Sequence, residues 1–382
     1  MVDPRYRTAF LDWLACAVAG SGERAALAAV AADPDGLGRV VSLGTAGHAL
    51  DFDDTYAPGL VHCTAPVAPA ALVLAADLDA SVGAVMAAHA AGFEAMAALA
   101  RASHPELYRR GWHPTAVCGV VGAASAAASV LGLDEEGRDR AVRLALLQSA
   151  GLRGAFGSDG KALQVGMASA AGARAALLAR AGASATADLP TGEGGFEAAY
   201  GAAWTAPDPA EPPAIVENWI KAYPCCLQTH AAIEAADTIR QSGATVDGAQ
   251  VRVHPISLHA APHGVPADAL QAKFSIPYTV AFTALHGPPG VEDFRRLDDD
   301  AVRLASRIEV TPDSHLAESE AIVEGNGVEP IRVRAALGSP QRPMSEDALR
   351  SKVISLAGDG LDALVVDDVP ARKVLDAVMV RR

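Results

Sequence analysis

The chain keeps only five lysines in 382 residues, Lys161, Lys221, Lys273, Lys352 and Lys373, and arginine carries the rest of its positive charge. A position that keeps lysine against that background asks for what arginine cannot give: a compact point charge on a flexible stem, able to lose its proton when desolvated. Lys161 ends the string Gly-Ser-Asp-Gly-Lys, just before the charge-free run 162–173, which reads as a helix. A cation at a helix start opposes the macrodipole, so it needs another reason to be there. Lys221 opens Lys-Ala-Tyr-Pro-Cys-Cys-Leu-Gln-Thr-His, a loop leading into another helix. Both elbows suit the handling of an anion, with a solvated surface lysine as the plain alternative. Neither is a phosphate loop: before Lys161, Ala155 stands where the Walker pattern needs glycine, and Ala162 replaces its Ser or Thr.

Two further strings carry chemistry. His48-Ala-Leu-Asp51-Phe-Asp53-Asp54-Thr55, followed by His62, places three carboxylates and two histidines within fifteen residues. Such a set can hold a divalent metal or a general acid and base, and its aspartates can equally cap helices and turns. In Gly111-Trp112-His113-Pro114-Thr115, Pro114 suits the first position of a helix and puts His113 at its cap. There the imidazolium form is disfavoured, which leaves a neutral base or hydrogen-bond partner. In the Lys221–His230 stretch the vicinal Cys225 and Cys226 have no His/Asp arrangement to make a nucleophile, so Cys226 is filler or lines a pocket.

The elements that must position these residues fall into two kinds. Apolar positions recur at helical spacing through 10–30, 66–78, 82–102, 116–131, 135–150, 162–181 and 196–204, with Gly- or Pro-rich breaks between them. Alanine dominates, so helix axes should approach closely. After the Pro-rich connector 206–213, residues 250–258 and 306–311 alternate like strands, and 319–323 and 330–337 do so less cleanly around a hairpin turn at 324–327. Helices are expected at 276–285 and 299–304, and Ser345 opens a final helical segment. The fold class is therefore mostly α: a discontinuous all-helical domain over 1–218 and 345–382, interrupted by a smaller α+β lid domain over 219–344.

Composition narrows the partners. A net charge of −14 and a pI near 5.2 argue against nucleic acid and anionic membranes, and an acidic substrate would need a local cationic pocket. Five cysteines without a Cys-x-x-Cys pair indicate neither a disulfide framework nor a zinc knuckle, and fit a reducing cytoplasm. The N-terminal stretch lacks a signal-peptide layout. The charge-free run 115–133 is nearly long enough to span a bilayer. Its Ala, Gly, Ser and Val content and missing basic flank favour a buried helix.

Five strings, 48–55, 111–117, 157–161, 221–233 and Ala272-Lys-Phe-Ser-Ile-Pro-Tyr278, occur in an order and spacing that strongly resemble the MmgE/PrpD family, over nearly the whole chain. That family includes 2-methylcitrate dehydratase, cis-aconitate decarboxylase and iminodisuccinate epimerase. The resemblance implies an active site in a cleft between a helical and an α+β domain, a homodimer, and no metal or other cofactor. It implies Asp51, His62, His113, Lys161, Lys221 and His230 as catalytic residues, with Thr55, Tyr223 and Cys226 touching substrate. Three features depart from the family pattern. Cys226 stands where the decarboxylase branch has a histidine, His62 is followed by Cys63 instead of proline, and 33–38 replaces a longer connector and helix. They point toward an unusual substrate or a specialised biosynthetic role.

The expected activity is that of a cofactor-independent lyase on a small polycarboxylate, most simply a dehydratase. The lysines would stabilise the charge left by α-proton removal, and His113 or His62 would be the base, with acid and base unassigned. The alternatives are an epimerase or decarboxylase using the same residues, a non-catalytic metabolite-binding paralogue, and a metal enzyme built on Asp51, Asp53, Asp54 and His62. An iron–sulfur route lacks a cysteine set of cluster spacing.

Overall fold

The computed structural model describes residues 2–379, which fold as two compact units. One comprises the described residues up to Gly154, Asp159–Ile220 and the segment from Ser345 on; the other comprises Ala155–Ser158 and Lys221–Met344. The fold is mostly α.

The first unit is built of helices whose cores are alanine. Helices Pro4–Gly20, Arg24–Ala32, Gly38–Ala49, Thr64–Asp77, Val82–Ser103, Pro114–Val130, Glu135–Leu146 and Asp159–Arg180 are joined late in the chain by Glu346–Ala357 and Ala371–Met379. Thr64–Asp77 is buried at every position from Thr64 to Ala76, as a helix apolar on all sides must be. Pro114–Val130 is buried almost throughout, the expected fate of the charge-free run. Val82–Ser103 and Asp159–Arg180 are long and apolar enough to cross a membrane, yet 56% and 61% of their apolar windows are buried inside the protein. Packing against neighbouring helices accounts for that apolarity.

Two elements differ from the periodicity. The stretch 10–30 is not one helix: the chain breaks at Ser21–Glu23 and the two flanking helices meet at 83°. Gly38–Ala49 was not foreseen, because glycines at 38, 44 and 47 dilute its helical signal. Those glycines serve close packing instead. A Cβ at Gly47 would fall inside the indole of the fully buried Trp13, and one at Gly166 would meet the Val41 carbonyl and Thr45. Backbone-to-backbone approach thus lays Asp159–Arg180 along Gly38–Ala49.

In the second unit, four strands order as Glu309–Pro312, Thr245–Val253, Ala321–Asn326 and Ile331–Val333. The first pair is parallel and the others antiparallel, with Val251 opposite both Val310 and Val323. The strand expected over 250–258 stops at Val253, since Pro255 starts a helix, Pro255–Ala260, capped by His254. Gly325 and Asn326 extend a strand instead of forming the hairpin turn, which follows them. Leu227–Gln241 and Ile276–His286 are this unit's longer helices.

The Gly47 contact gives a stability test. Alanine normally gains about 1 kcal/mol over glycine inside a helix. Gly47→Ala should instead cost about 1–3 kcal/mol, the range for overpacking a filled core, and lower the urea midpoint. An unchanged or raised midpoint would contradict the packing described.

Candidate active site

The turn that ends Gly38–Ala49 builds the centre of the site. His48 lies in the helix's last turn, and Asp51 takes a left-handed conformation, φ 54°, with its amide donating to the His48 carbonyl at 3.2 Å. A short polar side chain tolerates that region better than most. The reversal brings Asp53 back under His48, whose Nδ1 sits 2.9 Å and 3.1 Å from the two Asp53 oxygens. His62 Nδ1 lies 3.0 Å from Asp53 Oδ2. One fully buried carboxylate therefore serves two imidazoles, whose rings meet edge to face at 4.5 Å.

Proton positions follow from those partners. An ionised carboxylate only accepts, so His48 Nδ1 carries the hydrogen and its Nε2 carries a lone pair when the ring is neutral. Burial alone would raise the Asp53 pKa, but His48 and His62 outweigh it and hold Asp53 well below the usual carboxylate range. Burial pushes His48 down, with Lys161 adding to the effect against the pull of Asp53. The His48 Nε2 lone pair then accepts from Lys161 Nζ at 2.6 Å, and Lys161 also donates to Asp51 Oδ1 at 2.8 Å. Lys161 occupies the first turn of its helix and is 6% exposed, so Asp51 and His48 supply the reason for a buried cation there. His62 Nε2 stands 3.7 Å from Asp51 Oδ1 and is not used by Asp53.

His113 caps the helix Pro114–Val130, as its proline implied, and stacks over His48 at 6.2 Å. Its Nδ1 meets Gln164 Nε2 at 2.6 Å, while Gln164 Oε1 accepts from the Leu152 amide at 2.9 Å. The backbone contact fixes which end of the amide faces the histidine, so His113 Nδ1 accepts and Nε2 carries the hydrogen. Burial, reinforced by Lys161 and the other two rings, holds His113 well below the usual imidazole range. His113 thus presents an imidazole N–H at Nε2.

Asp54 contrasts with its neighbour. Burial, and then the charges of Asp53 and Asp12, push its pKa well above the usual carboxylate value. Its Oδ2 accepts from Thr64 Oγ1 and Asn218 Nδ2, both at 2.9 Å, and His89 Nε2 reaches Thr64 Oγ1 at 3.2 Å. Neither Asp53 nor Asp54 caps a helix. Thr55 begins a two-residue strand paired with Asn218–Trp219, and its buried Oγ1 has no hydrogen-bond partner among the described residues.

His48, Asp51, Asp53 and His62 offer four potential metal-ligand atoms within 4.8 Å of one another. Lys161 Nζ already lies within hydrogen-bond reach of two of those groups, and both Nδ1 atoms face Asp53.

The remaining assigned residues belong to the other unit. Lys221 Nζ donates to the Cys225 carbonyl at 3.0 Å, and His230 Nε2 lies 3.3 Å from the same oxygen. Tyr223 packs edge to face on His230 at 5.0 Å, and burial raises its phenol above the usual range. Cys226 Sγ points to the Ala260 carbonyl at 3.6 Å, and Cys225 Sγ to Thr229 Oγ1 at 3.1 Å. Sequence reasoning missed the roles of Asp53, His48 and Gln164. Gln164 had a usable signal, lying three residues after Lys161 on the same helix face.

The family model for the MmgE/PrpD N-terminal domain matches residues 40–206, and that for the C-terminal domain matches residues 223–369. The chain belongs to the MmgE/PrpD family. Among curated relatives, cis-aconitate decarboxylase of Aspergillus terreus is 26% identical over 98% of this chain and 88% of its own length. The human cis-aconitate decarboxylase is 29% identical over 52% of this chain and 43% of its own length. A cis-aconitate decarboxylase-like protein, oryM, of Aspergillus oryzae is 25% identical over 94% and 87%. Family and relatives support a lyase-type function.

The buried imidazoles make stability pH-dependent. Burial lowers His89 to about 3. The unfolded chain therefore binds a proton below about 6.5 that the folded protein refuses, and the contribution present above 6.5 is lost as pH falls toward 3. Between pH 7 and pH 5 this histidine should cost about 2 kcal/mol. His89→Phe should remove that share of the acid-side slope in urea titrations at the two pH values. An unaltered slope would contradict a neutral, buried His89.

Proposed function

We propose that the protein is a lyase that removes an α-proton from a small polycarboxylate and expels water. The observation that carries this reading is Asp53 shared between His48 and His62. Asp53 Oδ2 lies 3.0 Å from His62 Nδ1, and His62 Nε2 stands 3.7 Å from Asp51 Oδ1, the oxygen that accepts from the buried Lys161. A base and a cation are thereby joined in one rigid group. His62 is also about a tenth exposed at its side chain, whereas His48 is sealed.

His62 Nε2 takes the α-proton, and the electron pair moves into the adjacent carboxyl group as an aci-carboxylate. Lys161 meets that charge with a preorganised donor in a site shielded from water. The electrons then return to form the carbon–carbon double bond as the β-hydroxyl leaves. The imidazolium of His62 supplies the proton that makes it water, so the enzyme ends as it began. His113, an N–H donor at Nε2, binds the leaving oxygen or a carboxylate without ionising. Thr55, with its buried unpartnered hydroxyl, donates to substrate. Lys221 and His230 take part in the reaction, and Tyr223 and Cys226 touch substrate, on the family resemblance. No metal enters these steps.

Decarboxylation is the second reading, favoured by the names of the relatives. Carbon dioxide would leave in place of the proton, with Lys161 meeting the same charge, and the carbanion would then be protonated. Cys226 in place of that branch's histidine weighs against it.

Proton exchange in deuterated buffer tests the reading, with citrate-, methylcitrate- and succinate-like acids followed by NMR and mass spectrometry. His62→Gln and Lys161→Ala should each lower exchange about 10²–10⁴-fold, the usual range for a positioned acid–base group. Lys221→Ala should act mainly through KM. Product mass separates water loss from carbon dioxide loss and from isomerisation. Wild-type exchange rates in His62→Gln would sink the assignment. Full activity should survive exhaustive chelation; activity lost on chelation and restored by a divalent ion would return the four-ligand set to a metal.

A further inference from the structure

Lys352, far from the other site residues in sequence, is buried to 7% exposure on the late helix Glu346–Ala357. Its Nζ makes an ion pair with Asp12 Oδ1 at 2.6 Å, donates to the Phe52 carbonyl at 2.8 Å, and lies 3.8 Å from the centre of the Phe52 ring. Asp12, on helix Pro4–Gly20, is completely buried and lies outside the 40–206 stretch matched by the family model. Phe52 is the residue between Asp51 and Asp53. Its carbonyl belongs to the peptide plane that joins it to Asp53, directly after the left-handed Asp51.

We propose that Lys352, seated on Asp12, is a positioning residue that holds the Phe52–Asp53 peptide plane and thereby aims Asp51 and Asp53 at Lys161, His48 and His62. The ammonium grips the turn by its carbonyl and by its ring, so both rotations flanking that plane are restrained. A buried ion pair is a poor device for stability, because desolvation offsets its Coulomb energy and an apolar pair of the same volume does as well or better. Its geometric value is different: a point charge with three directed donors can hold an anion, a carbonyl and a ring face together. Small errors in the direction of catalytic groups cost rate far more than they cost binding. As a statement about catalysis, this inference rests on the lyase reading above.

The deciding variant is Asp12→Asn with Lys352→Met, which removes both charges and leaves no unpaired buried charge. Two readouts are taken: α-proton exchange kinetics, and the imidazole ¹⁵N resonances of His48 and His62, which report tautomer and hydrogen bonding without any substrate. The expected result is a rate at least tenfold lower with KM within about twofold, and displaced resonances for both rings. Normal rate and normal resonances in folded double variant, with only a lower urea midpoint, would reduce the pair to scaffolding and overturn the proposal. If the double variant does not fold, Lys352→Arg decides. It keeps the charge on Asp12 but cannot keep a point donor on the Phe52 carbonyl, so a loss of at least threefold in rate with shifted resonances is expected, and wild-type behaviour overturns the proposal. If the wild type exchanges no acid, the lyase reading fails, and the resonances alone decide whether Lys352 sets the geometry of the turn.

Discussion

Asp53 is a carboxylate with no exposure to water that stays ionised, and the site follows from how it does so. The imidazole N–H of His48 replaces part of its hydration, and His62 lies within ion-pair distance. Removing one partner from a buried charge typically costs about 3–5 kcal/mol, so the His48 ring is held firmly and so is its tautomer. With Nδ1 committed, His48 can only accept at Nε2 and does so from Lys161.

Asp53 and Asp54 are adjacent in sequence and opposite in chemistry. Asp53 faces two imidazoles and is driven down; Asp54 faces burial and the charge of its neighbour and is driven up. Two carboxylates this close are pushed in opposite directions by their environments, as pairs of titratable groups in enzyme sites commonly are. Asp54 connects the turn to Thr64 and Asn218, and through Thr64 to His89, so polar partners support the site from beneath.

The means of bringing Lys161 to His48 is the absence of side chains. Glycines at 44 and 166 let two helices approach until backbone meets backbone. The core is short of aromatic rings and long in close helix contacts, which suits a site whose parts must agree within tenths of an ångström.

The chain alone determined a mostly α fold interrupted by an α+β segment, a helix start at Pro114 with His113 on its cap, and a buried helix in the charge-free run. It also singled out Lys161, Lys221, Asp51, Asp53 and Asp54, all of which the fold buries. It could not show the helix Gly38–Ala49, since glycines that serve packing read as breaks. Nor could it tell which nitrogen of His48 or His113 carries hydrogen, or which aspartate is driven down and which up. Those properties depend on folded geometry: the turn folds Asp53 back on His48, Gln164 meets His113 from another helix, and Asp12 reaches the turn only through Lys352. A proton's position depends on which lone pair faces it, and that is decided only when tertiary packing brings the two atoms within 3 Å.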